Sequence, residues 1–286
     1  MSAEDAIKAS ILTSALPYIQ EYAGKVVVIK YGGNAMTNDD LKQAVMSDIV
    51  LLHQVGVKAV VVHGGGPEIT AALEAQGIKS KFINGLRYTD EETAKVVQMV
   101  LCRKTNKDLV KLISRCGGKA LGICGLDGSM IRAVKLEAEQ DLGYVGQITA
   151  IDPSPILDIM ATGYIPIVAA VGADAAGQIY NINADTAAAA IATALKAENI
   201  ILMTDIRGLM RDPSDESTFI SEADLDSLAE LFESGAVTGG MIPKVRCCED
   251  AVRGGVTRAS MIDGRIPHSI LIEMFSDEGI GTMIHI

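Results

Sequence analysis

Lys25-Val26-Val27-Val28-Ile29-Lys30-Tyr31-Gly32-Gly33-Asn34 joins an apolar strand pattern directly to a glycine turn. An unbroken β-branched run reads as a strand covered on both faces, because a half-exposed strand would alternate apolar with polar residues. The pattern returns at Val60-Val61-Val62-His63-Gly64-Gly65-Gly66-Pro67-Glu68. A strand that ends in glycines and runs into a helix leaves backbone N–H groups free at the helix start, where the helix dipole reinforces them. Phosphates and other anions settle at such turns.

Outward from these two segments, short apolar runs at 26–30, 59–63, 120–124, 165–169, 200–204, 258–262 and 282–286 alternate with amphipathic stretches at 39–55, 67–76, 90–114 and 185–197. The alternation predicts an α/β fold, a mainly parallel sheet with helices on both faces. Ligands then collect beyond the carboxyl ends of the strands, where both glycine clusters fall. Residues 126–150, with Asp127-Gly128, Gly143 and Gly146, read as inserted hairpins. The alanines at 187–190 predict a helix lying close on the sheet, and a lobe boundary is placed near residue 175. The first 24 residues stand apart. Ile7, Ile11, Ala15 and Tyr18 recur near helical spacing, and Pro17 should kink or interrupt that helix. The segment either packs on its own subunit or forms an arm that docks on a second one.

Composition narrows the function. The 286 residues are 49% hydrophobic and 21% charged, which is a globular balance with room for a substantial core. A formal charge of −11 argues against nucleic acid as a partner. Five cysteines without CxxC spacing predict reduced thiols in a cytoplasmic protein. No signal peptide pattern and no run of ~18 apolar residues appears, so neither export nor a membrane partner is expected.

The motifs favour anion chemistry. There is no GxxxxGK[ST] and no GxGxxG opening a helix. Lys30 instead ends an apolar strand, where it either snorkels to water or meets an anion. Three glycines at 64–66 exceed what a tight turn requires and fit close approach of a ligand to the main chain. Tyr180-Asn181-Ile182-Asn183-Ala184-Asp185 precedes the alanine-rich helix; Asn183 or Asp185 could cap it, or the polar side chains could share one side of a site. Thr238-Gly239-Gly240-Met241-Ile242-Pro243-Lys244 repeats the glycine–helix theme beside a lysine. Arg87, within Asn84-Gly-Leu-Arg-Tyr-Thr-Asp90, is either a solvated turn residue or a carboxylate ligand. His63 reads as structural, and no spacing suggests a metal site. Anion-stabilising groups without a nucleophile–base pair point to phosphoryl transfer onto an acceptor that is already ionised, such as a carboxylate.

Together Lys30-Tyr-Gly-Gly-Asn-Ala35, His63-Gly-Gly-Gly-Pro67, Asn84–Asp90, Asn181–Asp185 and Gly239–Lys244 resemble, in order along nearly the whole chain, the acetylglutamate kinases of the amino acid kinase family. The resemblance implies a three-layer αβα sandwich of the amino acid kinase fold. It also implies MgATP-dependent phosphorylation of the side-chain carboxylate of N-acetyl-L-glutamate, the second step of arginine biosynthesis. By that likeness Lys30 and Lys244 would stabilise the transferring phosphoryl, Asp185 would hold both lysines, and Gly33 and Gly65 would offer backbone N–H groups. Gly65, Gly66, Arg87, Asn181 and Asn183 would bind acetylglutamate, with Arg87 and Asn181 on its α-carboxylate. Gly32, Asp205, Arg207, Gly208, Leu209, Met210, Gly239, Gly240, Met241 and Lys244 would bind ATP, with the magnesium carried by the nucleotide and no protein metal site.

The family's arginine-inhibited members share a kinked N-terminal helix, which interlaces dimers into a hexamer, and a tail like residues 264–282 here. That likeness makes Tyr18, His268, Glu273 and Gly281 candidates for binding L-arginine, and residues 1–24 an oligomerisation arm. Residues 25–175 would then be the acetylglutamate lobe and 176–286 the ATP lobe. Asn199 departs from the lysine expected in sensitive members. Other acyl-phosphate kinases of the same fold and a catalytically silent arginine sensor are the alternatives; the sensor would be expected to have lost Lys30, Lys244 or Asp185.

Overall fold

The structure, a computed structural model, describes residues 3–212 and 214–286. Met1 and Ser2, the start of the expected arm, lie outside the described residues. The arm runs as α1 (Ala3–Ser14) and α2 (Leu16–Tyr22). The break at Ala15 is the interruption that Pro17 predicts, since a proline is accommodated in the first turn of a helix and not in its interior. Ile7, Ile11 and Leu12 of α1 are 59%, 61% and 73% exposed, whereas Tyr22 of α2 is buried. α2 therefore belongs to this chain's packing, and the apolar stripe of α1 is left uncovered among the described residues.

Strand and helix then alternate: β1 (Val26–Tyr31), α3 (Asp39–Gln54), β2 (Lys58–His63) and α4 (Gly66–Glu74). Two short strands, β3 (Phe82–Ile83) and β4 (Leu86–Arg87), lead into α5 (Glu91–Met99). A π-helical turn at Val100–Thr105 joins α5 to α6 (Asn106–Arg115), so the single helix expected over 90–114 carries a widened turn that shifts its faces midway. Next come β5 (Ala120–Cys124), the hairpin β6 (Ile131–Lys135) and β7 (Gly146–Ile151), α7 (Ser154–Ala161), β8 (Ile165–Ala169), β9 (Val171–Ala173) and β10 (Ile179–Asn181).

Beyond them lie α8 (Ala184–Leu195), β11 (Asn199–Thr204), β12 (Leu209–Met210), β13 (Phe219–Ile220), β14 (Glu222–Asp224) and α9 (Leu225–Glu233). The chain closes with α10 (Met241–Arg253), β15 (Arg258–Asp263), α11 (Ser269–Met274) and β16 (Thr282–His285).

The central sheet has the order β14-β16-β15-β11-β1-β2-β8-β5 and is parallel except where β16 meets β15. Its strands before residue 175 form one side and those after it the other, meeting at the β1–β11 pair. Residue 175 itself lies in the turn between β9 and β10, which pair in a second sheet, β10-β9-β6-β7. That smaller sheet contains the inserted hairpin read from residues 126–150.

Alternation along the central strands divides the core. Val28, Val60, Val62, Ile200 and Leu202 face α8 and α10, while Val27, Ile29, Val61, Ile201 and Met203 face α3, α6 and α11. Ala187, Ala188 and Ala192 of α8 are fully buried, and their small side chains let that helix lie close on the sheet. Lys30 shares the parity of Val28. It therefore leaves β1 on the α8 side, toward the start of that helix.

Candidate active site

β1 ends at the centre of the sheet, and its last turn delivers Lys30 to a point where α8 begins. Asn183 caps α8, its side chain accepting from the N–H groups of Asp185 (2.9 Å) and Thr186 (3.1 Å). With that first turn fixed, Asp185 points at two ammonium groups. Lys30 Nζ lies 2.9 Å from Oδ1, and Lys244 Nζ, from the first turns of α10, lies 2.8 Å from Oδ2. All three side chains are largely buried. Burial by itself would raise the Asp185 pKa, but the two lysines outweigh it and hold the carboxyl down at about 2. Asp185 is thus a fixed anion at neutral pH, unable to act as a base there.

Two cavities meet at this carboxylate. One, of 290 Å³, is lined by Lys30, Gly32, Gly33 and Gly64–Gly66, with Arg87 and Asn181 on its far wall. The other, of 1120 Å³, is lined by Lys244, Gly239, Gly240, Pro243 and Gln147 among others. Asp185, Asn183, Gly85, Leu86 and Val145 belong to both. The glycines have distinct reasons. A Cβ at Gly65 would come within 2.7 Å of Leu101 Cδ2, and one at Gly33, where φ is +67°, within 2.7 Å of Asp205 Oδ1. At Gly66, Gly239 and Gly240 a Cβ would meet nothing, so open space adjoins the main chain there.

Arg87 is buried on β4, with its guanidinium donating to Ser80 Oγ (2.6 Å), Gly66 O (2.9 Å) and Thr70 Oγ1 (2.8 Å). Burial pushes its pKa down, and it forms no ion pair among the described residues. Of the two readings open from sequence, the solvated turn residue is therefore excluded. A cation enclosed by neutral acceptors at a cavity wall is a ready partner for a carboxylate. Asn181 Nδ2 donates to Thr89 Oγ1 at 3.1 Å. His63 is fully buried and held neutral, its pKa pushed down to about 4 by burial. Nε2 accepts from Asn106, so Nδ1 carries the proton and donates to Gly64 O at 2.8 Å, which anchors the glycine turn.

The remaining sequence candidates are more dispersed. Asp205 approaches the Gly33 turn. Gly208, Leu209 and Met210 lie beside β16, where Leu209 N donates to Thr282 Oγ1 at 2.8 Å. Arg207 stacks on Phe219, 4.0 Å from its ring centroid, and lines a third cavity of 690 Å³, away from Lys244. That cavity also holds Tyr18, Glu273 and Gly281. Glu273 Oε2 accepts from the N–H groups of Ile280 and Gly281, each at 3.0 Å, and Tyr18 OH bonds to Asp277. His268 is not among its lining residues and instead contacts the buried Asp48 at 2.6 Å. Leu101, Phe82 and Val145 line the smaller cavity and were not legible in the sequence, because the π turn, the short β3 strand and the loop before β7 that place them leave no spacing signal.

The amino acid kinase family profile matches residues 25–263. The chain belongs to the amino acid kinase family. Among its relatives, the acetylglutamate kinase of Brachyspira hyodysenteriae is 58% identical over 278 residues, covering 97% of this chain and 96% of that one. The acetylglutamate kinase of Clostridium beijerinckii is 54% identical, covering 97% and 98%. At that likeness the chain is a phosphotransferase of the acetylglutamate kinase group within the family. Among solved structures, the N-acetylglutamate synthase of Neisseria gonorrhoeae, complexed with coenzyme A and N-acetyl-glutamate, superposes with a TM-score of 0.85 at 24% identity, over 97% of this chain and 63% of the synthase chain. The carbamate kinase of Giardia lamblia bound to AMP-PNP gives 0.65 at 16%, over 92% and 99%. Both likenesses show the fold that the amino acid kinase family shares. Among the described residues no helix is long and apolar enough to cross a membrane.

Proposed function

We propose that this protein transfers the γ-phosphoryl group of MgATP to the side-chain carboxylate of N-acetyl-L-glutamate, the second step of arginine biosynthesis in the cytoplasm. The observation that carries this reading is Asp185 held between Lys30 and Lys244 where two cavities meet. The smaller cavity takes the acyl amino acid, its α-carboxylate on Arg87 and Asn181, with Gly65, Gly66 and Asn183 around it. The larger takes the nucleotide, with Gly239, Gly240 and Met241 at the start of α10.

Lys30 then faces the acceptor and Lys244 the donor, so positive charge flanks the phosphoryl from both sides. N–H groups of the Gly32–Gly33 and Gly64–Gly65 turns add neutral donors. The acceptor carboxylate is already ionised, and no base is required. Two ammonium groups and turn N–H groups suit phosphate oxygens. The residues that would meet the phosphates are cations and main-chain N–H groups, which bind phosphate oxygens and leave the ion to be carried by the nucleotide. When bound, magnesium would neutralise charge on the β- and γ-phosphates.

The 690 Å³ cavity supports feedback by L-arginine. Glu222, Glu273, Asp277 and Glu278 line it as acceptors for a guanidinium and an ammonium group, and Arg207 and Arg258, the latter paired with Glu21 at 2.8 Å, line it as cations suited to a carboxylate. The uncovered stripe on α1 supports an arm that joins dimers into a homohexamer.

The deciding experiment traps acyl phosphate with hydroxylamine from MgATP and N-acetyl-L-glutamate, beside free glutamate and aspartate. Hydroxamate from the acetylated substrate alone is the expected outcome. Product only from another acceptor would overturn the reading of the Arg87 cavity while leaving the lysine arrangement standing.

A further inference from the structure

We propose that Thr89 is a positioning residue that fixes the orientation of the Asn181 amide in the substrate cavity, an inference that rests on the acyl-amino-acid reading above. Thr89 is fully buried, follows Arg87 by two residues, and does not line the cavity. Its hydroxyl has one proton. The Arg87 carbonyl oxygen, 2.7 Å away, can only accept, so that proton is committed there. Oγ1 must therefore meet Asn181 as an acceptor, which selects Nδ2, at 3.1 Å, and turns Oδ1 away from Thr89. The amide orientation follows from proton counting.

One Nδ2 proton and the Oδ1 lone pairs remain for a ligand. An N-acylated amino acid carries, on a single carbon, a carboxylate that accepts and an amide N–H that donates. Those two groups are the complement of what Asn181 still offers. The main chain of Thr89 strengthens the frame: its N–H donates to Leu142 O (3.1 Å), its carbonyl accepts from Tyr144 N (2.6 Å), and Tyr144 O accepts from Asn181 N (2.8 Å). A Cβ at Gly143, in this same crossing, would run into the Thr89 carbonyl, so a side chain there would push the segments apart. One threonine thus ties the strand of Arg87 to the strand of Asn181.

The test is steady-state kinetics of Thr89→Val and Thr89→Ser. Valine keeps the shape and removes the hydroxyl; KM for N-acetyl-L-glutamate is expected to rise about tenfold, the scale of one lost hydrogen bond. The kcat and the KM for ATP should stay within about twofold, and serine should restore KM. An unchanged acetylglutamate KM in the valine variant, or equal loss in every parameter for both variants, would overturn the proposal. A double-mutant cycle with Asn181→Ala should show that the second substitution adds little once the first is made; full additivity would overturn it too. Side-chain amide NMR of Asn181 is a readout independent of turnover and of correct substrate assignment. Its Nδ2 proton resonances should move in Thr89→Val and return in Thr89→Ser, and no movement would overturn the proposal even in a fully active enzyme. If the wild-type protein fails to phosphorylate acetylglutamate while the resonances behave as expected, the substrate reading fails and the positioning role stands.

Discussion

Asp185 and Lys244 stand 59 residues apart in the chain and meet at 2.8 Å, with Lys30 on the other carboxylate oxygen at 2.9 Å. One anion thereby sets the distance between two cations that would otherwise repel. The relationship makes the carboxylate a spacer: each lysine is held at the mouth of a different cavity.

Lys30→Ala or Lys244→Ala should lower turnover by ~10²–10³-fold, the scale of losing one preorganised electrostatic contact. Stopped-assay kinetics with both substrates saturating would check this, and near-wild-type turnover would remove that lysine from the mechanism. Asp185→Ala should additionally destabilise the fold by about 3–5 kcal/mol, because it leaves two buried cations unpaired. Urea unfolding measures that directly.

Arg87→Ala should raise the acetylglutamate KM by ~10–100-fold, the range for a charge-assisted hydrogen bond, with the ATP KM little changed. Arg87→Lys should recover only part of the loss, since an ammonium group cannot serve Ser80, Thr70 and Gly66 at once and still meet a carboxylate in the arginine geometry. A wild-type KM in Arg87→Lys would show that charge alone matters there.

Stability should vary little between about pH 4 and 6 because two buried groups oppose each other. His63 has its pKa pushed down to about 4, so its contribution is present above its ordinary 6.5 and is lost as pH falls through the folded value. Asp48 has its pKa pushed up to about 6, burial outweighing the His268 contact, so its contribution is present below 3.8 and is lost as pH rises through 6. Each amounts to about 3 kcal/mol by linkage. Asp48→Asn should unmask stability that climbs with pH, and His63→Asn stability that declines. Urea midpoints across that window would show opposite slopes for the two variants, and parallel slopes would contradict the assignment.

Removing residues 1–14, which spares the buried Tyr22 of α2, should reduce a hexamer to a dimer and leave turnover intact. Sedimentation velocity checks the state, and an unchanged profile would sink the arm reading. The substitutions Ile7→Ser and Leu12→Ser, on the uncovered face of α1, should act in the same direction without shortening the chain.

Much of this protein was determined by sequence alone. Unbroken β-branched runs ending in glycine can be satisfied only as covered strands feeding helix starts, so the parallel sheet, both glycine turns and the strand-end position of Lys30 were legible from local pattern. The alanine run of α8 likewise declared its close seat on the sheet. The tertiary structure decided what local pattern cannot encode, namely which side chains meet. Asp185 could have been only a capping residue until α8 and α10 packed side by side and brought Lys244 to it. Arg87 could have been solvated until Ser80, Thr70 and Gly66 closed around it. Tyr18, Glu273 and Gly281 share a cavity that His268 does not line, and Arg207 joins them there instead of reaching the Lys244 side. Thr89 sits inside the Asn84–Asp90 motif but carried no role there, because its consequence lies in a hydroxyl that meets Asn181 from a distant segment only after folding. Periodicity reports whether a residue is covered; the partner that covers it depends on contacts between segments far apart in the chain.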